Sequence, residues 1–163
     1  MHSVRGVLVL FGLLALVDCR SAPPPTPVAG TPIDVATARR PRAAMFGRTD
    51  QVGRFLRITE IPLVDGTSFG WRLDLRCTGP VLFRETMLLP TPGDWTFTPE
   101  DLPETTISNG GKTATTYDYV ACRDGWIEHS WRVARGDPPG EWIVTIEIEG
   151  YEPTVFRPKF LKR

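Results

Sequence analysis

From Trp71 to Cys77 the chain alternates without a break: Trp71, Leu73, Leu75 and Cys77 are apolar, and Arg72, Asp74 and Arg76 between them are charged. A period of two marks a strand with one face buried and the other wet. The same alternation runs through Trp142, Val144, Ile146 and Ile148, with Ile143, Thr145, Glu147 and Glu149 in between. Residues 113–122 and 126–133 are rich in β-branched and aromatic side chains, which suit a pleated surface. Turn signals punctuate these runs at Asp65-Gly66, Gly79-Pro80, Pro92-Gly93, Asn109-Gly110-Gly111, Asp124-Gly125 and Pro139-Gly140, too closely spaced for helical crossovers. With further strands at 54–61, 81–89 and 154–160, the fold class predicted is all-β: an immunoglobulin-like antiparallel β-sandwich of about seven strands. A small closed barrel is the alternative. One helical turn is predicted at 98–101, where Thr98 would cap Pro99, Glu100 and Asp101.

The longest apolar run, 7–17, follows Arg5 and stops at Asp18. As a helix it would rise roughly 16 Å, about half the hydrocarbon core of a bilayer, so it predicts a secretory signal peptide over 1–21 and not a membrane span. No other stretch is long and apolar enough to form a spanning helix. Leu16-Val17-Asp18-Cys19 is similar to the lipobox of bacterial lipoproteins, which makes Cys19 a candidate for lipidation, although Asp18 stands where that pattern has a small residue. Cleavage after Ser21 is the alternative. Residues 22–44 carry six Pro and no aromatic residue, and are expected to form a disordered Pro-rich linker whose cluster Arg39-Arg40-Pro41-Arg42 is solvated. The β-sandwich domain is expected over 45–163. The protein is then exported, to the periplasm or to the outer membrane by a lipid anchor, or alternatively outside the cell.

Nineteen Lys and Arg balance nineteen Asp and Glu over the 163 residues, so the formal net charge is zero. Without the five arginines and two aspartates of residues 1–44, the remainder holds 14 basic and 17 acidic residues, a net charge of −3. A nucleic-acid partner attracted by an overall positive field is excluded on this balance. Two His and three Cys are too few for most zinc sites, and no metal or other cofactor is implied. Either processing route takes Cys19 out of disulfide chemistry, leaving Cys77 and Cys122 as an even pair in an oxidising compartment. A Cys77–Cys122 disulfide is predicted.

Thr67-Ser68-Phe69-Gly70 ahead of the alternating strand, Pro139-Gly140-Glu141-Trp142 at the start of a late one, and then Gly150 and Phe156 carry a resemblance. Over about 52–160 the chain resembles an uncharacterised bacterial family of secreted, immunoglobulin-like β-sandwich domains, a domain of unknown function. Members usually finish on an aromatic, any residue and an aliphatic, whereas this chain has Phe156-Arg157-Pro158. The resemblance implies a fold, and carries over no catalytic residue.

Reactive groups are sparse. His129 is the sole His after the signal peptide and reads as a structural residue on its strand, so a His-based nucleophilic triad has little to stand on. Asn109-Gly110-Gly111-Lys112-Thr113 imitates the end of a phosphate loop, but Thr106 occupies the place of the first glycine, and a hairpin turn explains the segment better. Glu85, Asp118 and Glu128 are strand-borne carboxylates on which a small cell-wall glycoside hydrolase would depend. The aromatic residues are the stronger clue. Trp95 and Trp126 adjoin turns, and Tyr117 shares a strand face with Tyr119, so Trp95, Trp126 and Tyr117 are the candidate ligand-binding residues, while Trp71, Trp131 and Trp142 are expected in the core. The function read from this is a non-enzymatic envelope module that binds a protein or glycan, an inhibitor or immunity protein being one case of it. Membrane contact comes only through a lipid anchor. The alternative is the hydrolase.

Overall fold

The computed structural model describes residues 38–95 and 104–162. The signal peptide, Cys19, the linker as far as residue 37 and the helical turn expected at 98–101 lie outside the described residues. The strands, in chain order, are β1 (Ala43–Thr49), β2 (Phe55–Arg57), β3 (Glu60–Pro62), β4 (Ser68–Cys77), β5 (Val81–Leu88) and β6 (Glu104–Ser108). They continue as β7 (Thr113–Val120), β8 (Gly125–Arg132), β9 (Gly140–Glu141), β10 (Ile143–Ile148), β11 (Thr154–Phe156) and β12 (Lys159–Leu161).

Two sheets face each other. One has the order β2-β1-β4-β8 and the other β11-β10-β5-β7-β6, with every pairing antiparallel. A short third sheet, β3-β12-β9, closes one side, and its β3–β12 pair is parallel. Phe69, Trp71, Leu73 and Ile127 of the first sheet pack against Phe83, Met87, Val144 and Ile146 of the second, all buried. Trp71 meets Phe83 edge-on at 5.2 Å across the interface. Trp142 stacks on Phe160 with ring centroids 3.9 Å apart, and Phe69 turns its edge to both. The fold is therefore the all-β, immunoglobulin-like sandwich that the alternation predicts.

Several strand assignments change. The run 54–61 divides at Ile58 and Thr59, giving β2 to the first sheet and β3 to the third. The run 154–160 divides at Arg157 and Pro158, because proline offers no N–H to continue the ladder. Its first part pairs with β10 and its second with β9 and β3, while the Pro158 carbonyl accepts the Trp142 backbone N–H at 2.9 Å. β1, β6 and the two-residue β9 are additional strands. β1 starts at Ala43, inside the span read as linker, and Arg39 already pairs with Tyr151. The Asn109–Gly111 turn joins β6 to β7 as a hairpin, as expected of that segment.

Gly47 and Gly70 lie opposite each other in the β1–β4 ladder. A Cβ on Gly70 would sit 2.1 Å from the His129 carbonyl oxygen, and one on Gly47 2.0 Å from that of Leu56. Neither distance is attainable without moving backbone, so the two glycines let the strands of this sheet approach closely. Gly70→Ala is expected to lower unfolding stability by about 2 kcal/mol, the scale of an overpacked core. The urea midpoint measures this, and an unchanged midpoint would mean that the strands separate at no cost.

Candidate functional site

The inward side of β5 carries Phe83, Glu85 and Met87, so a carboxylate stands in the middle of the sandwich core. Glu85 is 1% exposed. The indole N–H of Trp71 donates to its Oε2 at 2.5 Å and that of Trp131 to its Oε1 at 2.6 Å, while His129 Nδ1 lies 3.1 Å from Oε2. Both carboxylate oxygens thus have partners, which is the condition for holding such a group in an apolar interior. His129 is a structural residue of this cluster, its ring set against those of Phe83 and Trp131.

Trp131 also forms a wall of a cavity of about 370 Å³ at the adjoining end of the sandwich. Phe69, Met87, Val133 and Trp142 complete its apolar floor, and Trp95 closes one side. The Trp95 indole N–H is held by the Gly111 carbonyl at 2.7 Å. Three turns bring carboxylates to the rim: Asp65 after β3, Asp94 after β5 and Asp137 after β8. Each is next to a glycine, in Asp65-Gly66, Gly93-Asp94 and Gly136-Asp137. Gly136 has φ of +100°, and a Cβ there would come within 3.0 Å of the Asp94 Cβ, so the last two turns are packed together. Asp137 is half-buried and accepts the Ala134 backbone N–H at 2.8 Å. Burial pushes its carboxyl above the ordinary Asp range and the neighbouring charge of Asp65 adds to that, against the opposing effect of the Ala134 hydrogen bond.

Of the three aromatic residues expected to bind, only Trp95 lines this cavity. Trp126 lies on the outer face of the first sheet, its ring 5.5 Å from the Arg72 guanidinium, beside Tyr119 in a separate groove. Tyr117 is on the outer face of the second sheet, 44% exposed. The three do not converge. Nor do the three carboxylates weighed for hydrolysis: Glu85 is in the core, Glu128 is outside the first sheet with Arg72 at 3.0 Å, and Asp118 accepts the backbone N–H of Tyr119. Among the described residues no three His, Cys, Asp or Glu side chains are disposed to hold a metal ion.

The Cys77–Cys122 disulfide is present, with the two Cα atoms 5.9 Å apart. Trp71 and Trp142 are buried in the core as expected, and Trp131 packs against it; sequence reasoning missed that Trp131 also walls the cavity, and missed the rim aspartates. The available signal for the rim was the recurrence of Asp beside Gly in three turns that fall at one end of the sandwich.

A family model described as the PM0630 beta sandwich domain matches residues 44–157. No curated protein matches the chain. Among solved structures, an immunoglobulin-like protein from Pseudomonas aeruginosa is similar at 15% identity and a TM-score of 0.44, over 77% of this chain and 96% of that one. A Pseudomonas fluorescens alkylpurine DNA glycosylase, AlkC, bound to DNA containing an abasic site analog, is similar at 12% identity and a TM-score of 0.33, over 72% of this chain and 29% of that one.

Proposed function

The chain belongs to the PM0630 beta sandwich domain family, and on that footing we propose that it is an exported, non-enzymatic module of the bacterial cell envelope that binds a protein or glycan at the loop end of the sandwich. The observation that carries this reading is the cavity of about 370 Å³ bounded by Trp95, Trp131 and Trp142. It has the size and make-up of a ligand site, an apolar floor with a few polar groups at the rim. Export rests on the apolar run 7–17 and its flanks, and the module is either tethered through a lipid on Cys19 or released. A hydrolase built on Glu85, Asp118 and Glu128 has no common site from which to act, because Glu85 is spent on the core and Glu128 faces solvent beside Arg72.

The test is retention. The exported chain and its Trp95→Ala variant are immobilised, and each is exposed to an envelope extract and to soluble cell-wall glycans. A protein or glycan held by the first and retained about tenfold less by the second is the expected outcome, Trp being the side chain whose truncation most often costs binding. Equal retention of every component by both chains would remove the cavity from the account. Shortened glycans in the flow-through would restore hydrolysis.

A further inference from the structure

The cavity described above joins two features. Its walls are aromatic, with Trp95, Trp131 and Trp142 around one space, and its rim is acidic, with Asp65, Asp94 and Asp137 against one lining cation among the described residues, Arg132. Among the described residues none of the three aspartates forms an ion pair with a Lys or Arg. A rim of this sign repels anions. The carboxylates are also not gathered as a metal ion requires. A ligand that satisfies both features carries a positive charge on a carbon body, since indole faces attract cations and cover apolar chains equally well.

We infer that the cavity takes an organic ammonium group, its charge at the acidic rim beside Asp137 and its carbon chain against Trp95 and Trp131; this rests on the reading of the cavity as the binding site. The half-buried Asp137 supports the inference. Crowded by Asp65 and withdrawn from water, its carboxyl lacks a compensating charge, which a bound ammonium supplies. The ammonium belongs to a lysine side chain of a protein partner, to a free diamine or to an amino sugar, and these share the recognised chemistry.

Four probes separate the possibilities: N-acetyl-lysine amide, cadaverine, glucosamine, and N-acetyl-norleucine amide as the neutral twin of the first. Each is titrated into the exported chain while the indole N–H resonances are followed. At least one ammonium probe is expected to shift the Trp95 and Trp131 resonances, and the lysine derivative to bind about tenfold more tightly than its neutral twin. Which cation binds best identifies the source. In Asp137→Asn the advantage over the neutral twin is expected to fall several-fold, and the exposed Asp94→Asn reports the same loss if the first variant fails to fold. Equal binding of norleucine and lysine derivatives would overturn the charge selection while leaving an apolar binding pocket in place. No resonance shift from any probe up to about 50 mM, where even a weak single-group interaction registers, would overturn the inference. The Trp95→Ala retention experiment then shows independently whether the cavity binds anything.

Discussion

Glu85→Leu is expected to lower unfolding stability by about 3–5 kcal/mol, the scale of a buried polar cluster that loses its central partner. The leucine is apolar and close in size, so a simple count of buried surface predicts a gain. The hydrogen bonds decide otherwise. Trp71 and Trp131 point their indole N–H groups at the carboxylate from the opposite sheet, and His129 Nδ1 faces it as well. Removing the acceptor leaves these groups buried without a partner, at about 1–3 kcal/mol for each unsatisfied donor. Glu85→Gln keeps the shape but not the pattern: an amide offers one acceptor oxygen, and its NH₂ then confronts an N–H donor. The cost is therefore expected to shrink when a donor is also removed. In a Trp131→Phe background Glu85→Leu should cost at least about 1 kcal/mol less than in the wild-type chain, a coupling that a double-mutant cycle in urea isolates. If Glu85→Leu leaves the midpoint unchanged or raised, the carboxylate does not organise the core and the sandwich packs by apolar contact alone.

The same residue illustrates what the sequence conveyed and what it did not. The alternation of β4 and β10 identified the inward residues Trp71, Leu73, Val144, Ile146 and Ile148 because period two and burial coincide there. On β5 the inward residues are Phe83, Glu85 and Met87, yet Glu85 was read only as a strand-borne carboxylate. A buried acid is recognisable only once its partners are known, and these come from one strand more than forty residues later, β8, and one earlier, β4. β1 and β6 went unread for a different reason. β6 is an edge strand with one apolar residue, Ile107, and no buried face, so it has no period to show. β1 is composed largely of Ala, Gly and polar residues, and only Phe46 among its large side chains is fully buried. The binding residues followed the same logic. Trp95 was found because it stands beside a turn, whereas Trp131 serves the core cluster and the cavity at once, a dual role that strand pattern does not express. Asp65, Asp94 and Asp137 look like ordinary turn formers until the topology brings their three loops to one end.

The second large effect concerns the covalent tie. Replacing both Cys77 and Cys122 with serine is expected to lower stability by about 4 kcal/mol, the chain-entropy estimate for freeing a loop of this length. The pair encloses 45 residues of sequence separation, a segment that includes all of β5, β6 and β7. In the unfolded chain the bond restricts that whole segment; in the folded one it joins the end of β4 to the residues just after β7, and so links the two sheets. Much of the stabilisation thus acts on the unfolded ensemble, and the loss should be visible in denaturant as a lower midpoint together with a larger dependence on denaturant concentration, because the freed chain exposes more surface. Stabilities of single domains are about 5–15 kcal/mol, so the variant retains a folded population only if the core is near the upper part of that range. Glu85→Leu in the same background separates the two contributions. The disulfide acts on the unfolded chain and the carboxylate on the folded core, so their costs are expected to add; a combined loss well short of the sum would place both on one element, the packing of β5 against β4 and β8.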